Sequence, residues 1–276
     1  MKISFQRCIC VGILLTGAGC ASVDLDAPKT ASYQLSDTAD SIIGREAAMI
    51  RAGQGETSGF HLQLDGIESW ATRLVLASRA ERSIDAQYYL ISDDEGGLLF
   101  LQSLLAAADR GVRVRVLTNS LAANNHGIVH SGYMSYRKKL LQIGVERYEM
   151  KADAEITGGD RGGSGAALAA LHTKAFLVDG DTLFLGSFNW DPRSAIYNTE
   201  MGVVIYSKRV SDDVYNLIEA RLAQSAYRLQ LSDSGSLQWL DESGAVPIIL
   251  GGEPDVSRWR KFTVNLGRIL PIKRQL

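Results

Sequence analysis

An α/β fold built on a β-sheet with parallel strands is what this sequence predicts, and three observations predict it. Residues 83–91 (SIDAQYYLI) read as a buried strand, residues 95–110 carry a helical stripe, and residues 112–117 (VRVRVL) alternate as a strand does. Strand, helix and strand in that succession form a βαβ unit, whose crossover requires parallel pairing. A second helix and strand follow at residues 131–144 and 145–150. Two apolar strands at 173–178 and 182–185 then turn at Asp179, Gly180 and Asp181, which is a hairpin signal.

The remaining elements fall into place around these. Residues 67–80 have helical spacing, with Ile67, Trp70, Leu74 and Ala77 on one side. In the helix of residues 95–110, Leu98, Leu101, Leu104 and Leu105 form the stripe and Gly111 stands in the C-cap place. Residues 151–165 form a Gly- and Asp-rich loop, the kind that rims a site. A strand at 201–205, a helix at 211–227 and a hairpin of 229–231 with 237–240, joined through Asp233, Ser234 and Gly235, complete the domain of residues 61–250. Beyond it, residues 256–274 hold no acidic side chain. Arg258, Arg260, Lys261, Arg268, Lys273 and Arg274 interleave there with Trp259, Phe262, Val264 and Leu266. Such a helix lies on an anionic membrane surface or packs its apolar side on its own domain, and both readings stay open.

The chain has 276 residues, 46% hydrophobic and 22% charged, and a net charge of -2. That balance suits an ordinary globular protein and argues against one that holds nucleic acid by charge alone. All three cysteines, Cys8, Cys10 and Cys20, lie in the first twenty residues. There Lys2 and Arg7 precede an apolar run at 9–15 and small residues leading to Cys20, which reads as a secretory signal peptide. The small residues before Cys20 resemble the lipobox of bacterial lipoproteins, which implies an acylated Cys20, export and anchoring in the cell envelope. The outer membrane, periplasmic side, is the default expectation. Residues 21–60 then read as a tether, with a short helix near 41–51.

The chemistry is carried by residues 171–200 (LHTKAFLVDGDTLFLGSFNWDPRSAIYNTE). On a strand, His172 and Lys174 share a face, and the Asp179 hairpin returns Gly186, Ser187 and Asn189 to the same end. An imidazole beside an ammonium, with a hydroxyl and an amide close by, suits a phosphate diester. Lys174 neutralises non-bridging oxygens, while Ser187 and Asn189 donate to charge that grows in the transition state. His172 can attack phosphorus and split the displacement into two easier steps. Asp179 reads mainly as the residue that fixes the turn, and Gly186 as allowing close backbone approach. Neither metal nor cofactor is required. His61, His126 and His130 match no metal spacing and read as structural or rim residues. Asn119, Ser120, Asn124 and Asn125 form a polar loop after a strand's carboxyl end, where α/β sites collect ligands.

The pattern H-x-K-x4-D-x6-G-S-x-N, complete in His172, Lys174, Asp179, Gly186, Ser187 and Asn189, resembles the signature of the phospholipase D superfamily. Three blocks resemble the bacterial cardiolipin synthases of the C type. They are SIDAQYYLISDDEGGLLFLQSLLAAADRGVRVRVLTNSLAANN, HSGYMSYRKKLLQIGVERYE and GSFNWDPRSAIYNTEMG. The resemblance implies a phospholipase D-like sandwich, with a mixed sheet flanked by helices. It also implies transfer of a phosphatidyl group through the histidine, and a carboxylate at Glu200 that orients His172. The chain departs from the family in holding one motif where two halves are usual. Its opening at 83–94 resembles the first half and residue 117 onward the second. That pattern is what the loss of a stretch between repeated segments leaves, a single hybrid repeat unit. A second histidine must then come from elsewhere, and a homodimer with His172 of each copy across a two-fold axis supplies it. Phospholipid is the expected substrate and nucleic acid is not. A single-motif nuclease and an inactive remnant that binds at the membrane surface are the alternatives.

Overall fold

The computed structural model describes residues 58–267, apart from 90, 92–93, 125–129, 131–132, 153–170 and 192. The signal peptide, Cys20, the tether, most of the Gly- and Asp-rich loop, Asn125, His126 and the last basic residues lie outside the described residues. Ten strands form one mixed sheet: β1 Gly59–Gln63, β2 Ser83–Gln87, β3 Arg113–Asn119, β4 Glu146–Met150, β5 Lys174–Val178, β6 Thr182–Gly186, β7 Gly202–Tyr206, β8 Ala226–Leu231, β9 Leu237–Asp241 and β10 Ile248–Leu250. Their order is β1-β7-β6-β5-β2-β3-β4-β8-β9-β10. Only β2, β3 and β4 run parallel, and every other pairing is antiparallel.

The helices are α1 Gly66–Arg79, α2 Glu95–Asp109, α3 Arg137–Gln142, α4 Lys208–Ser225 and α5 Arg258–Gly267. Asp65 caps α1 by accepting from Glu68 N, and Asp94 caps α2 by accepting from Gly96 N and Gly97 N. Each such cap stabilises by about 1 kcal/mol. Gly111, at φ 87°, ends α2 in the left-handed conformation that only glycine adopts without cost. One face of the sheet presents Ile84, Ala86, Val114, Val116, Phe176, Val178, Phe184 and Val204, which pack with Phe100, Leu101 and Leu104 of α2 and Ala77 of α1. Each buried side chain of that size contributes roughly 1.5–3 kcal/mol. On the opposite face α4 lays Leu222 beside Leu117 and Met150, and its Glu219 accepts from Arg115. Helices on both faces make the α/β sandwich.

Several elements differ from the sequence reading. β2 ends at Gln87 rather than at residue 91, though Ile91 still bridges to Trp190. Of the helix expected at 131–144, Arg137–Gln142 forms a described regular segment, and Tyr133 and Arg137 turn inward to Glu149. β1 and β10 were not anticipated, being short and mostly exposed. On α1 the innermost line is Ser69, Arg73 and Ala77, while Ile67 faces solvent. Arg73 can be buried because its guanidinium lies over the rings of Trp190 and Phe184, at 4.2 and 4.8 Å. It also donates to Ser69 O, Tyr88 Oη and the Phe188 carbonyl.

The packing of α1 on α2 gives a direct test. A Cβ on Gly96 would stand 2.0 Å from the Trp70 ring. Gly96→Ala should therefore destabilise by about 1–3 kcal/mol, measured as a lower midpoint in urea unfolding with the slope unchanged.

Candidate active site

Strand direction brings the motif together. β5 runs against β2, so the amino end of β5 lies at the carboxyl ends of the parallel strands, where α/β sheets bind ligands. Lys174, the first residue of β5, stands opposite Gly186 at the end of β6, which stands opposite Gly202 at the start of β7. His172, Lys174, Gly186, Ser187, Asn189 and Glu200 therefore converge on one edge. The crossing of β6 and β7 is tight. A Cβ on Gly186 would lie 2.7 Å from the Met201 carbonyl oxygen, and one on Gly202 would lie 2.7 Å from the Phe184 ring. The close approach expected at Gly186 is thus an approach of neighbouring strands.

His172 is exposed, and its ring centroid lies 5.1 Å from that of Tyr89. Its pKa is pushed below 6.5 by partial burial and by the Lys174 charge, with Glu200 opposing. The imidazole is therefore neutral at neutral pH, as a nucleophile must be. Lys174 is buried, donates from Nζ to the His172 carbonyl at 2.7 Å and lies 5.4 Å from the Tyr89 ring. Its pKa falls through burial, while Glu200 and Asp191 hold it up. Both backbone groups of Leu171 are clamped by Asn119, whose Oδ1 accepts from Leu171 N at 2.7 Å and whose Nδ2 donates to Leu171 O at 3.0 Å. That clamp fixes the backbone one residue before the imidazole.

The other motif residues divide into those that join the site and one that does not. Ser187 Oγ accepts from Met201 N at 3.0 Å and faces the Met201 carbonyl at 3.3 Å. Asn189 N donates to Ser194 Oγ, and Asn189 Oδ1 is buried without a hydrogen bond among the described residues. Glu200 accepts from Ser194 Oγ and Asn198 Nδ2, both at 3.0 Å. Within one chain it thus reaches His172 through its charge, and the orienting bond to the ring is not formed among the described residues. Asp179 stands at the far end of β5 and takes no part in the site. At φ 52° it fixes the turn, and its carboxylate accepts from the backbone N–H groups of Glu81, Arg82 and Ser83, tying β5 to the start of β2.

Other sequence candidates serve structure. Asn119 and Ser120 are fully buried, and Ser120 Oγ accepts from Ala123 N. His130 is buried between Asn124 and Arg137, and His61 pairs with Glu68 at the surface. Three residues near the site were not anticipated. Tyr89 lies in the strand-like run after β2. Asp191 and Ser194 are bonded to each other at 3.1 Å and lie in the block that follows Asn189. Their position directly after the motif was the signal. A groove of roughly 520 Å³ opens at this edge, with His172, Lys174 and Ser187 at its polar end and Leu62, Leu185 and Met201 along its apolar wall.

The chain belongs to the family described as cardiolipin synthase, PLD-like domain, whose model matches residues 74–222. It is 42% identical over 205 residues to cardiolipin synthase C of Escherichia coli K12, a match covering 72% of this chain and 42% of that protein. Against cardiolipin synthase A of Yersinia pseudotuberculosis it is 28% identical over 152 residues, which cover 55% of this chain and 26% of the relative. The chain thus spans less than half the length of these curated relatives. Among solved structures, the phospholipase D family member Nuc of Salmonella typhimurium aligns with a TM-score of 0.45 and 19% identity, over 61% of this chain and 95% of that one.

Asp179 yields the second test. Burial raises its pKa, but the three N–H groups outweigh that and hold it below 3.8. A depressed folded-state value contributes stability above the unfolded pKa, lost as pH falls through the folded one. Asp179→Asn keeps the left-handed turn but removes the charge. It should cost about 1 kcal/mol at neutral pH after solvent screening. That cost should shrink below pH 4 when unfolding is followed against pH, and turnover should survive.

Proposed function

We propose that this protein cleaves or transfers phospholipid phosphodiesters through a phosphohistidine at His172, and that two copies share one active site. The observation that carries the reading is an exposed, neutral His172 beside the buried Lys174 ammonium, at the polar end of an apolar-walled groove. Hydrolysis and transfer differ only in the final acceptor, so one site serves both.

In the first step a ring nitrogen of His172 attacks phosphorus. A nitrogen–phosphorus bond forms and the bond to the head-group oxygen breaks. Lys174 neutralises a non-bridging oxygen, and Ser187 and Asn189 lie within reach of the others. The departing alkoxide takes a proton from a second histidine, His172 of the partner subunit in its imidazolium form, which is left as neutral imidazole. In the second step water or a lipid hydroxyl gives its proton back to that imidazole and attacks phosphorus, and the nitrogen–phosphorus bond breaks. The second histidine that the acid step needs can come from a second copy of this chain across a two-fold axis. The apolar wall of Leu62, Leu185 and Met201 favours acyl chains over nucleic acid. Export and acylation at Cys20, with the protein on the periplasmic side of the outer membrane, would bring the site to its substrate.

Mass-spectrometric assay with phosphatidylethanolamine and phosphatidylglycerol should give phosphatidic acid or cardiolipin with the unmutated protein and none with His172→Ala. Lys174→Ala should lower turnover by about 10²–10³-fold. Absence of product from a folded sample would overturn the catalytic reading. Turnover should also fall with acid through a pKa below 6.5, because the attacking imidazole must be unprotonated. Lys174→Met removes a repulsive charge and should shift that limb upward. When unmutated and His172→Ala chains are mixed and refolded together, activity should fall as the square of the unmutated fraction. A linear fall would rule out a site shared between copies.

A further inference from the structure

The basic segment beyond the sheet is not used by the mechanism, and the structure separates the two readings of it. Packing on its own domain requires the aromatic side chains of α5 to point inward. Trp259 is 73% exposed and Phe262 56%, while Val264 is the buried apolar side chain of this helix among those described. The two rings stack on each other at the surface, with centroids 5.7 Å apart. Arg258 is exposed on the same first turn, and Lys261 follows. The nearest acids upstream already have partners, and Glu253 also faces Lys261, whose Nζ lies near Gly252. Glu253 accepts from Arg137, and Asp255 accepts from Tyr227 Oη at 2.7 Å.

The location matters as much as the composition. Arg260 donates to the carbonyl of Asn124, in the loop that leaves the carboxyl end of β3. That is the edge of the sheet on which His172 and Lys174 lie. The β9–β10 turn is at the same edge, and its Val246 and Ile248 are exposed as well. Stacked, exposed aromatics with the exposed Arg258 beside them complement a layer of anionic head groups over acyl chains. Among the described residues no helix is long and apolar enough to cross a membrane, so this contact is with a surface.

We infer that α5 seats the protein on an anionic phospholipid surface. Trp259 and Phe262 enter the head-group layer and Arg258 faces the lipid phosphates, with the active-site edge held beside the bilayer. The inference deepens the function proposed above, resting on a phospholipid as substrate, but its readout needs no turnover. Trp70, Trp190 and Trp239 are wholly or partly enclosed, so Trp259 is the tryptophan placed to respond to lipid.

The full chain is added to vesicles of phosphatidylglycerol and phosphatidylcholine that carry brominated acyl chains, and tryptophan emission is recorded. Emission should shift to the blue and be quenched. The effect should be absent in Trp259→Phe, unchanged in His172→Ala, and weak on phosphatidylcholine alone. Arg258→Ala should lower the apparent vesicle affinity about fivefold at low salt. Unchanged emission with anionic vesicles would overturn the inference, as would quenching that persists in Trp259→Phe. Quenching without any product sinks the catalytic reading alone. Product from a dispersed short-chain phospholipid, without quenching on vesicles, sinks this one alone.

Discussion

The backbone ladder between β2 and β5, with Ile84 opposite Val178 and Gln87 opposite Ala175, fixes which end of the sheet carries the chemistry. Because β5 runs against the parallel strands, His172 and Lys174 enter the sheet where β2 and β3 leave it. The hairpin to β6 and the return through β7 then bring Ser187, Asn189 and Glu200 back to that edge. Asp179 secures the ladder from its other end by holding three N–H groups ahead of β2. A slip of one residue in this pairing would turn Lys174 to the opposite face.

Charged groups inside the fold do positional work around this frame. Arg73 lies among aromatic rings, bonded to carbonyls and a phenol, and its bond to Phe188 O holds the chain midway between Ser187 and Asn189. Arg137 and Glu149 pair in the interior with Trp239 Nε1 bonded to the same carboxylate, and Arg115 bridges Asp85 and Glu219. The attraction within such pairs is largely offset by the loss of hydration, so they fix geometry more than they add stability. His130, buried among Arg137, Arg147 and Arg260, is kept neutral by burial and by those charges. It belongs to this interior network and stands apart from the chemistry at His172.

Much of the architecture was legible in the sequence because period and punctuation agreed. The Leu stripe ending at Gly111 marked α2, and Asp179 with Gly180 marked the β5–β6 hairpin, both within a residue or two of the observed bounds. The fixed spacing of the motif located His172, Lys174, Ser187 and Asn189 because a strand's alternation and a tight turn leave little freedom. The misses have physical causes too. β1 and β10 are edge strands with little buried surface to imprint a pattern. The period of α1 gives no sign of the burial of Arg73, since that depends on distant rings at Phe184, Phe188 and Trp190. Glu200 was assigned to His172 by the family resemblance, and among the described residues its carboxylate accepts from Ser194 and Asn198 while acting on His172 by charge.

The Met201 carbonyl receives two donors from one residue, the amide of Ser187 at 2.9 Å and its hydroxyl at 3.3 Å. The hydroxyl has a single proton and rotates freely about its bond to Cβ. Were an anion at the groove to draw that proton outward, the carbonyl would keep the shorter amide bond and stay paired. The Ser187 hydroxyl proton is thus a redundant contact, one that could turn to a ligand with no strand displaced.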